Sequence, residues 1–511
     1  MTGSPTSCPP VFRNPVDIRL LRQDFENAGF TAQSVLQRIG QKEAHEIGSE
    51  DLPLLFARTA AGDALDTAIR LFLMSLPVSA EALPRLFRSM ESETLLESGL
   101  VQIDGKEAAA AIKILPFQDL LVAFDCRRRL QTAAAVDYVM GVSGSSLTLA
   151  NATIRRPSGR TLDLGTGCGI QGMLAAANSS QVVAIDRNPR ALEFGRLNAA
   201  LNNLCNIEFR LGDLFEPVEG ETFDSIVTNP PFVISPETRY IYRDGGMRGD
   251  EICRRIVREA PRFLSEGGFL QMLCNWIEPS EQDWSDGVRE WFDETGCDAW
   301  VLRSHTQDVV AYASKWVRHT ELRETDSWIP RVEEWCSYYK ALGIERIGSG
   351  LINLRRSSGR PNWVLADEAP ATVFGACGDS IRGRFEARDF LGSISSDEEL
   401  LERRFHVSPH ARFQSRSAPT PDGWQAEQAS LELVHGLSYS GKVDIAIANL
   451  VVHCNGERRL GELVNEMAQA VGAEREKIIA PVCSIVRDLV DRGFLLLASA
   501  EGHGRPRTHT D

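Results

Sequence analysis

The sequence predicts an α/β chain: a doubly wound central domain with a smaller α+β module on either side. Three observations carry that prediction. Short apolar runs at residues 161–164, 181–186, 207–211 and 223–228 alternate with helical patterns. Each run ends in a glycine or a polar residue, and in an open α/β sheet the carboxyl ends of the strands face the ligand crevice. Outside residues 137–356 the alternation gives way to helices followed by hairpin patterns.

The first run breaks into Gly165-Thr-Gly-Cys-Gly169 and then into the helical pattern of residues 170–177. Glycines at alternate positions allow left-handed backbone and close ligand approach, and the following helix start offers unpaired N–H groups. The next run ends at Asp186, about 20 residues beyond the first glycine, the spacing of an acid that accepts hydrogen bonds from ribose hydroxyls. A dinucleotide fingerprint requires glycine or alanine where this chain has Ile170, which disfavours an oxidoreductase. The third run is followed by Gly212-Asp213-Leu214, and the fourth by Asn229-Pro230-Pro231-Phe232.

With these residues the chain resembles the class I S-adenosylmethionine-dependent methyltransferases that carry an Asn-Pro-Pro-aromatic motif. Residues 212–217 and 223–232 look most like the HemK/PrmC-type glutamine methyltransferases and the small-domain rRNA guanine N2 methyltransferases. The resemblance implies a Rossmann-like methyltransferase domain with S-adenosylmethionine as cofactor. It places Asp163, Gly165, Thr166, Gly167 and Gly169 at the methionine part, Asp186 at the ribose, and Asp213 with Leu214 at the adenine, with Arg187 as a further cofactor contact. Asn229 touches both cofactor and acceptor in this reading, and Asn229, Pro230, Pro231 and Phe232 form the reactive station. Glutamine methyltransferases usually carry Tyr where Phe232 stands.

The chemistry of that station follows from its residue types. An amide or exocyclic amino nitrogen is a poor nucleophile because its lone pair is delocalised. The Asn229 side-chain carbonyl and the Pro230 main-chain carbonyl are expected to accept its two N–H groups and aim the lone pair. The prolines stiffen the acceptors, and Phe232 supplies a face for the planar group. No general base is required before attack, because the proton leaves after the nitrogen becomes cationic.

At 511 residues the chain is too long for one core. The expected division is residues 1–136, a helical, winged-helix-like module; 137–356, the methyltransferase domain; 357–501, a β-hairpin with a second winged-helix-like module; and 502–511, a disordered tail. In the first module, residues 14–47, 63–74, 79–87 and 91–98 read as helices, then Asp104-Gly105 turns a hairpin between runs 101–103 and 109–115. Glu91, Glu93 and Glu97 occupy the helix where a DNA reader would carry Arg or Lys. Residues 137–153, rich in Gly and Ser, read either as a cover over the cofactor or as a linker. Residues 235–250 lack periodicity and read as a substrate lid hinged at Gly245, Gly246 and Gly249. The last strand of the sheet is expected at residues 347–354, after an inserted helical stretch. His406 and His410 are four apart, but Pro409 excludes a shared helix face, so they read as strand histidines and no metal site is expected.

Composition is that of a soluble globular protein, 43% apolar and 24% charged. There is no membrane-spanning run and no signal-peptide pattern, and the 11 cysteines contain no C-x-x-C pair, so a cytoplasmic location is expected. A net charge of −15 opposes nonspecific phosphate binding. The expected partner is a macromolecular substrate, a protein glutamine ahead of rRNA. A silent binding protein built on the same fold is the competing class.

Overall fold

The computed structural model describes residues 8–40, 51–279, 283–320, 325–370, 373–421 and 423–498. The expected tail at 502–511 and part of the helical pattern at 14–47 lie outside them. Of the described residues, those within 8–150 and 156–369 pack as one unit, and 151–155 with those within 370–498 as another.

In the first unit the leading helices Pro15–Asn27 and Ala32–Ile39 are each started by a side-chain cap, Asn14 and Thr31 respectively. Strands β1 (Val78–Ser79), β2 (Val101–Asp104) and β3 (Glu107–Ala110) form a small sheet in the order β1-β3-β2. The expected helix at 79–87 is only one turn, Leu83–Leu86, because its first residues are taken by β1 and a 3-10 turn. The apolar run 109–115 is not one strand either. It breaks at Ala111, and Ile112 starts a second hairpin, β4 (Ile112–Phe117) with β5 (Leu120–Asp125).

That second hairpin joins this module to the rest of the unit. The outer edge of β5 would leave buried backbone groups unpaired. Two asparagines of the helix Pro189–Leu201 and its C-cap satisfy them. Asn198 accepts from Ala123 N (2.7 Å) and donates to Ala123 O (2.9 Å), while Asn202 does the same for Leu121 (2.9 and 2.8 Å). Phe25, Phe72 and Leu95 therefore share a continuous apolar core with Ile170, Met173, Phe194 and Leu197.

The central sheet contains β6 (Ser158–Leu164), β7 (Ser179–Asp186), β8 (Ile207–Leu211), β9 (Phe223–Thr228), β10 (Leu264–Glu278), β11 (Cys297–Asp308), β12 (Arg346–Arg356) and β13 (Val364–Glu368). Its order is β13-β11-β12-β10-β9-β6-β7-β8, and β12 alone runs antiparallel to its neighbours. The 347–354 strand is thus an interior strand, not the end of the sheet. The last strand of the sheet along the chain is β13, at one edge, and its short run gave no sequence signal. The chain leaves β6 toward β7 and β8, then returns to β9 on the other side of β6, a switch point that opens a crevice at the strand carboxyl ends.

Helices Val309–Thr320 and Thr325–Leu342 are inserted between β11 and β12. Tyr312, Trp335 and Tyr339 from them pack on Val233 and Ile234, just beyond β9.

The second unit has its own core around Phe405, Leu450, Val464 and Val486. Helices Ile445–Val452, Leu460–Val471 and Arg475–Asp491 pack with a sheet in the order Asn455–Arg459, Arg404–Val407, Leu495–Leu497. A long hairpin, Ala411–Thr420 with Gly423–Leu433, is separate from that sheet. His406 is a strand residue, but His410 is not. Pro409 breaks the run, and His410 lies in the turn before the hairpin with its ring 4.7 Å from that of His435.

Candidate active site

The crevice at the switch point is a cleft of about 970 Å³, counting its open mouth. Its floor is the glycine turn after β6. Gly165, Gly167 and Gly169 all have positive φ (71°, 56° and 87°), so L side chains there would be strained. Gly165 N and Thr166 N both donate to Ile185 O at 2.9 Å, which fixes the turn against β7.

Two carboxylates shape this floor. Asp163, 1% exposed, accepts from Thr166 Oγ1 (2.5 Å) and Gly172 N (2.8 Å) through one oxygen. Burial pushes its pKa up to about 6 against the pull of those two donors. Asp186 accepts from Gly167 N through one oxygen (2.9 Å) and from Asn188 N through the other (2.8 Å). Burial raises its carboxyl pKa as well, and its N–H donors oppose the rise.

The reactive station follows β9. Thr228 Oγ1 donates to Leu164 O (2.7 Å), locking the ends of β9 and β6 together. Asn229 Nδ2 donates to Ser145 Oγ at 3.2 Å, while its Oδ1 is buried without a hydrogen-bond partner. Such an acceptor costs about 1–3 kcal/mol unless something else donates to it. Pro230 O accepts from Phe232 N at 2.7 Å in a tight turn. The pair of free acceptors expected from sequence is therefore one bare oxygen, on Asn229, and one carbonyl already engaged. Pro231, Phe232 and Val233 complete this end of the cleft.

Residues 137–153 do not form a plain linker. Tyr138, Val139, Met140, Gly141, Ser145 and Ser146 line the cleft. Asn188 Nδ2 holds Asp137 O (3.0 Å), and Gln171 Nε2 holds Ser146 O (2.9 Å).

Residues 235–250 are tied down rather than free to hinge. Arg243, 2% exposed, donates to Asp244 (2.6 Å) and Glu237 (2.8 Å). Trp335 Nε1 also donates to Glu237 (3.0 Å), and Gly249 N to Tyr338 Oη (3.0 Å). Gly246 and Gly249 have positive φ, whereas Gly245 does not.

Four sequence-assigned residues, Gly169, Arg187, Asp213 and Leu214, are not among those lining the cleft. Arg187 is exposed. Asp213 and Leu214 sit one strand further out, with Gly212 N on Asp186 O (3.2 Å) and Asp213 3.7 Å from Arg255. Conversely, Trp316 lines the cleft beside Phe232, their ring centroids 6.5 Å apart and edge to face. Nothing local in the sequence relates a helix 84 residues downstream to that motif. Tyr242 and Asn188 are likewise lining residues that composition and spacing left unmarked. No group of three or more His, Cys, Asp or Glu suited to a metal occurs among the described residues.

Residues 140–295 match the Methyltransferase small domain family. Residues 27–111 and 383–497 match two families described as domains of unknown function. The chain is 33% identical over 129 residues to a release factor glutamine methyltransferase of Xylella fastidiosa, covering 23% of this chain and 47% of that protein. It is 34% identical over 128 residues to the ribosomal RNA small subunit methyltransferase C of Alcanivorax borkumensis, covering 25% of this chain and 35% of that protein. The chain spans less than half the length of these two curated relatives. Among solved structures, a methyltransferase from Pyrococcus furiosus is similar at 17% identity and a TM-score of 0.26, over 41% of this chain and 80% of that one.

Proposed function

We propose that the chain is an S-adenosylmethionine-dependent N-methyltransferase whose acceptor is the side-chain amide of a protein glutamine. The observation that carries the reading is the buried, partnerless Oδ1 of Asn229, a residue lining the cleft floored by the glycine turn. A planar –NH₂ laid on Phe232 gives that oxygen its missing donor. Losing part of its N–H bond to Asn229 localises the nitrogen lone pair toward the methyl donor.

The residues present fit the cofactor. The glycine turn allows close approach, Asp186 offers its remaining lone pairs to ribose hydroxyls, and Asp163 offers a buried negative charge to a cationic group. S-adenosylmethionine, when bound, supplies an electrophilic methyl group. The protein's own work is to hold the acceptor nitrogen in line, keep Asn229 Oδ1 on its N–H, and cover the reaction with residues 138–146. Arg187, Asp213 and Leu214 remain cofactor contacts by resemblance, at the outer edge of the site.

The substrate class rests on the acceptor end of the cleft. Phe232 and Trp316 meet there edge to face, Val233, Ile241 and Tyr242 also line the cleft, and the one cationic residue among the described lining residues, Arg243, is committed to Asp244 and Glu237. A neutral amide suits such walls better than a phosphate-bearing nucleotide. Guanine in rRNA is the second reading, favoured by the likeness to the rRNA methyltransferase. We read the flanking modules, three-stranded sheets packed with helices, as winged-helix-like modules that present the acceptor, in a cytoplasmic protein. No helix among the described residues is long and apolar enough to cross a membrane.

The test is incubation of the protein with methyl-labelled S-adenosylmethionine and cell extract, followed by separate protease and ribonuclease treatment. Label lost to protease and kept through ribonuclease supports the proposal. The reverse pattern moves the assignment to rRNA.

A further inference from the structure

Residues 143–146 carry three serine hydroxyls within reach of one another, and the cofactor reading makes no use of them. Ser145 Oγ lies 2.9 Å from Ser143 Oγ, which lies 3.2 Å from Ser146 Oγ. Ser143 caps the helix Gly144–Ala152 with its own hydroxyl, receiving Ser146 N at 3.4 Å, and Leu147 N donates to Ser143 O at 3.0 Å. Ser146 is 5% exposed and its carbonyl is pinned by Gln171. The array is therefore built into the start of a helix rather than set on a mobile turn.

The free end of this array is Asn229. An asparagine amide has two ends of nearly equal shape and opposite hydrogen-bonding sense. Turned one way, Asn229 offers an acceptor to an incoming –NH₂; turned the other, it offers two N–H donors that repel it. The amide meets the array through Nδ2, 3.2 Å from Ser145 Oγ, with Oδ1 buried and without a partner. A serine hydroxyl both donates and accepts, so the array can serve the amide in either sense; with Nδ2 on Ser145 it runs Ser145 O–H to Ser143 and Ser143 O–H to Ser146.

We propose that Ser145, backed by Ser143 and Ser146, is a positioning residue that holds the Asn229 side chain in place in the cleft. The inference rests on the reading of Asn229 as the acceptor's hydrogen-bond partner. Ser145 touches Asn229 and acts through it, so its removal costs turnover and not fold. Loss of one such hydrogen bond corresponds to about a fivefold fall in rate.

The experiment is a double-variant cycle with labelled S-adenosylmethionine at saturation and ribonuclease-treated protein extract as acceptor. Ser145→Ala lowers kcat about fivefold with cofactor affinity changed less than threefold, and Ser145→Thr, which keeps the hydroxyl, restores the rate. In an Asn229→Ala background, Ser145→Ala adds nothing. A readout independent of turnover is the side-chain amide signal of Asn229 in ¹⁵N-asparagine-labelled protein, assigned by its loss in Asn229→Ala. That signal shifts in Ser145→Ala and returns in Ser145→Thr. An unshifted signal, or equal losses from Ser145→Ala in both backgrounds, overturns the inference. Undiminished turnover in Asn229→Ala alone instead overturns the acceptor reading on which it rests.

Discussion

Arg190 and Asp125 form a bidentate ion pair at 2.6 and 3.0 Å, both side chains no more than 5% exposed, joining the helix after β7 to the last residue of β5. Asp125 also accepts from Val139 N at 2.9 Å, and Val139 lines the cleft. The leading module thereby fixes the segment that covers the cofactor site. Removing one partner of a buried pair leaves the other charge unpaired and costs about 3–5 kcal/mol. Asp125→Asn is expected to lower the melting temperature of the protein by several degrees and to weaken cofactor binding. The double replacement Asp125→Leu with Arg190→Met is expected to recover much of the stability but not the binding, since leucine leaves Val139 N without its acceptor. Calorimetric melting and titration of the two variants check both halves.

Asp186, the proposed ribose partner, is tied to the glycine turn and to the start of the next helix through its bonds to Gly167 N and Asn188 N. A hydrogen bond to a charged group is worth about 1.5–3 kcal/mol. Asp186→Ala is accordingly expected to weaken S-adenosylmethionine binding at least about tenfold, measured by calorimetry. Unchanged affinity would remove Asp186 from the site.

Asp163 gives the binding a pH dependence whose sign follows from burial. Its carboxyl, pushed up to about 6, is ionised at pH 7.5 and largely protonated at pH 5. A cationic cofactor favours the carboxylate, so the bound pKa lies below the free one and binding releases a proton near pH 6. Affinity is expected to fall as pH drops from 7.5 to 5. Asp163→Asn, weaker at pH 7.5, is expected to lose this slope while keeping an oxygen for Thr166 and Gly172. A slope that persists in the variant would assign the titration to another group.

What the sequence made legible was local. The glycine turn, the acid at the end of β7 and the Asn-Pro-Pro-Phe station are short runs, and strand-end geometry then carried them to one crevice. What stayed hidden depends on contacts between distant residues. Trp316 reaches Phe232 from an insertion, and Asn198 and Asn202 clamp β5 from about 80 positions away along the chain. The tied-down segment at 235–250 looked like a lid because its Arg, Asp and Glu pair with one another and with Trp335, a pattern with no periodicity. The run at 109–115 misled for a different reason: two successive strands separated by one residue read as a single alternation.

The central claim is that Asn229 Oδ1 receives an N–H of the acceptor amide during methyl transfer. Its contact strengthens as the nitrogen gains positive charge, so Asn229→Ala is expected to lower kcat by about 10²-fold or more. The most direct measurement is amino-acid analysis of extract protein labelled in parallel by the wild-type protein and by Asn229→Ala. The account predicts label that co-elutes with N5-methylglutamine in the wild-type reaction and nearly vanishes in the variant. Label recovered on methylated guanine, or equal labelling by the two proteins, would contradict it.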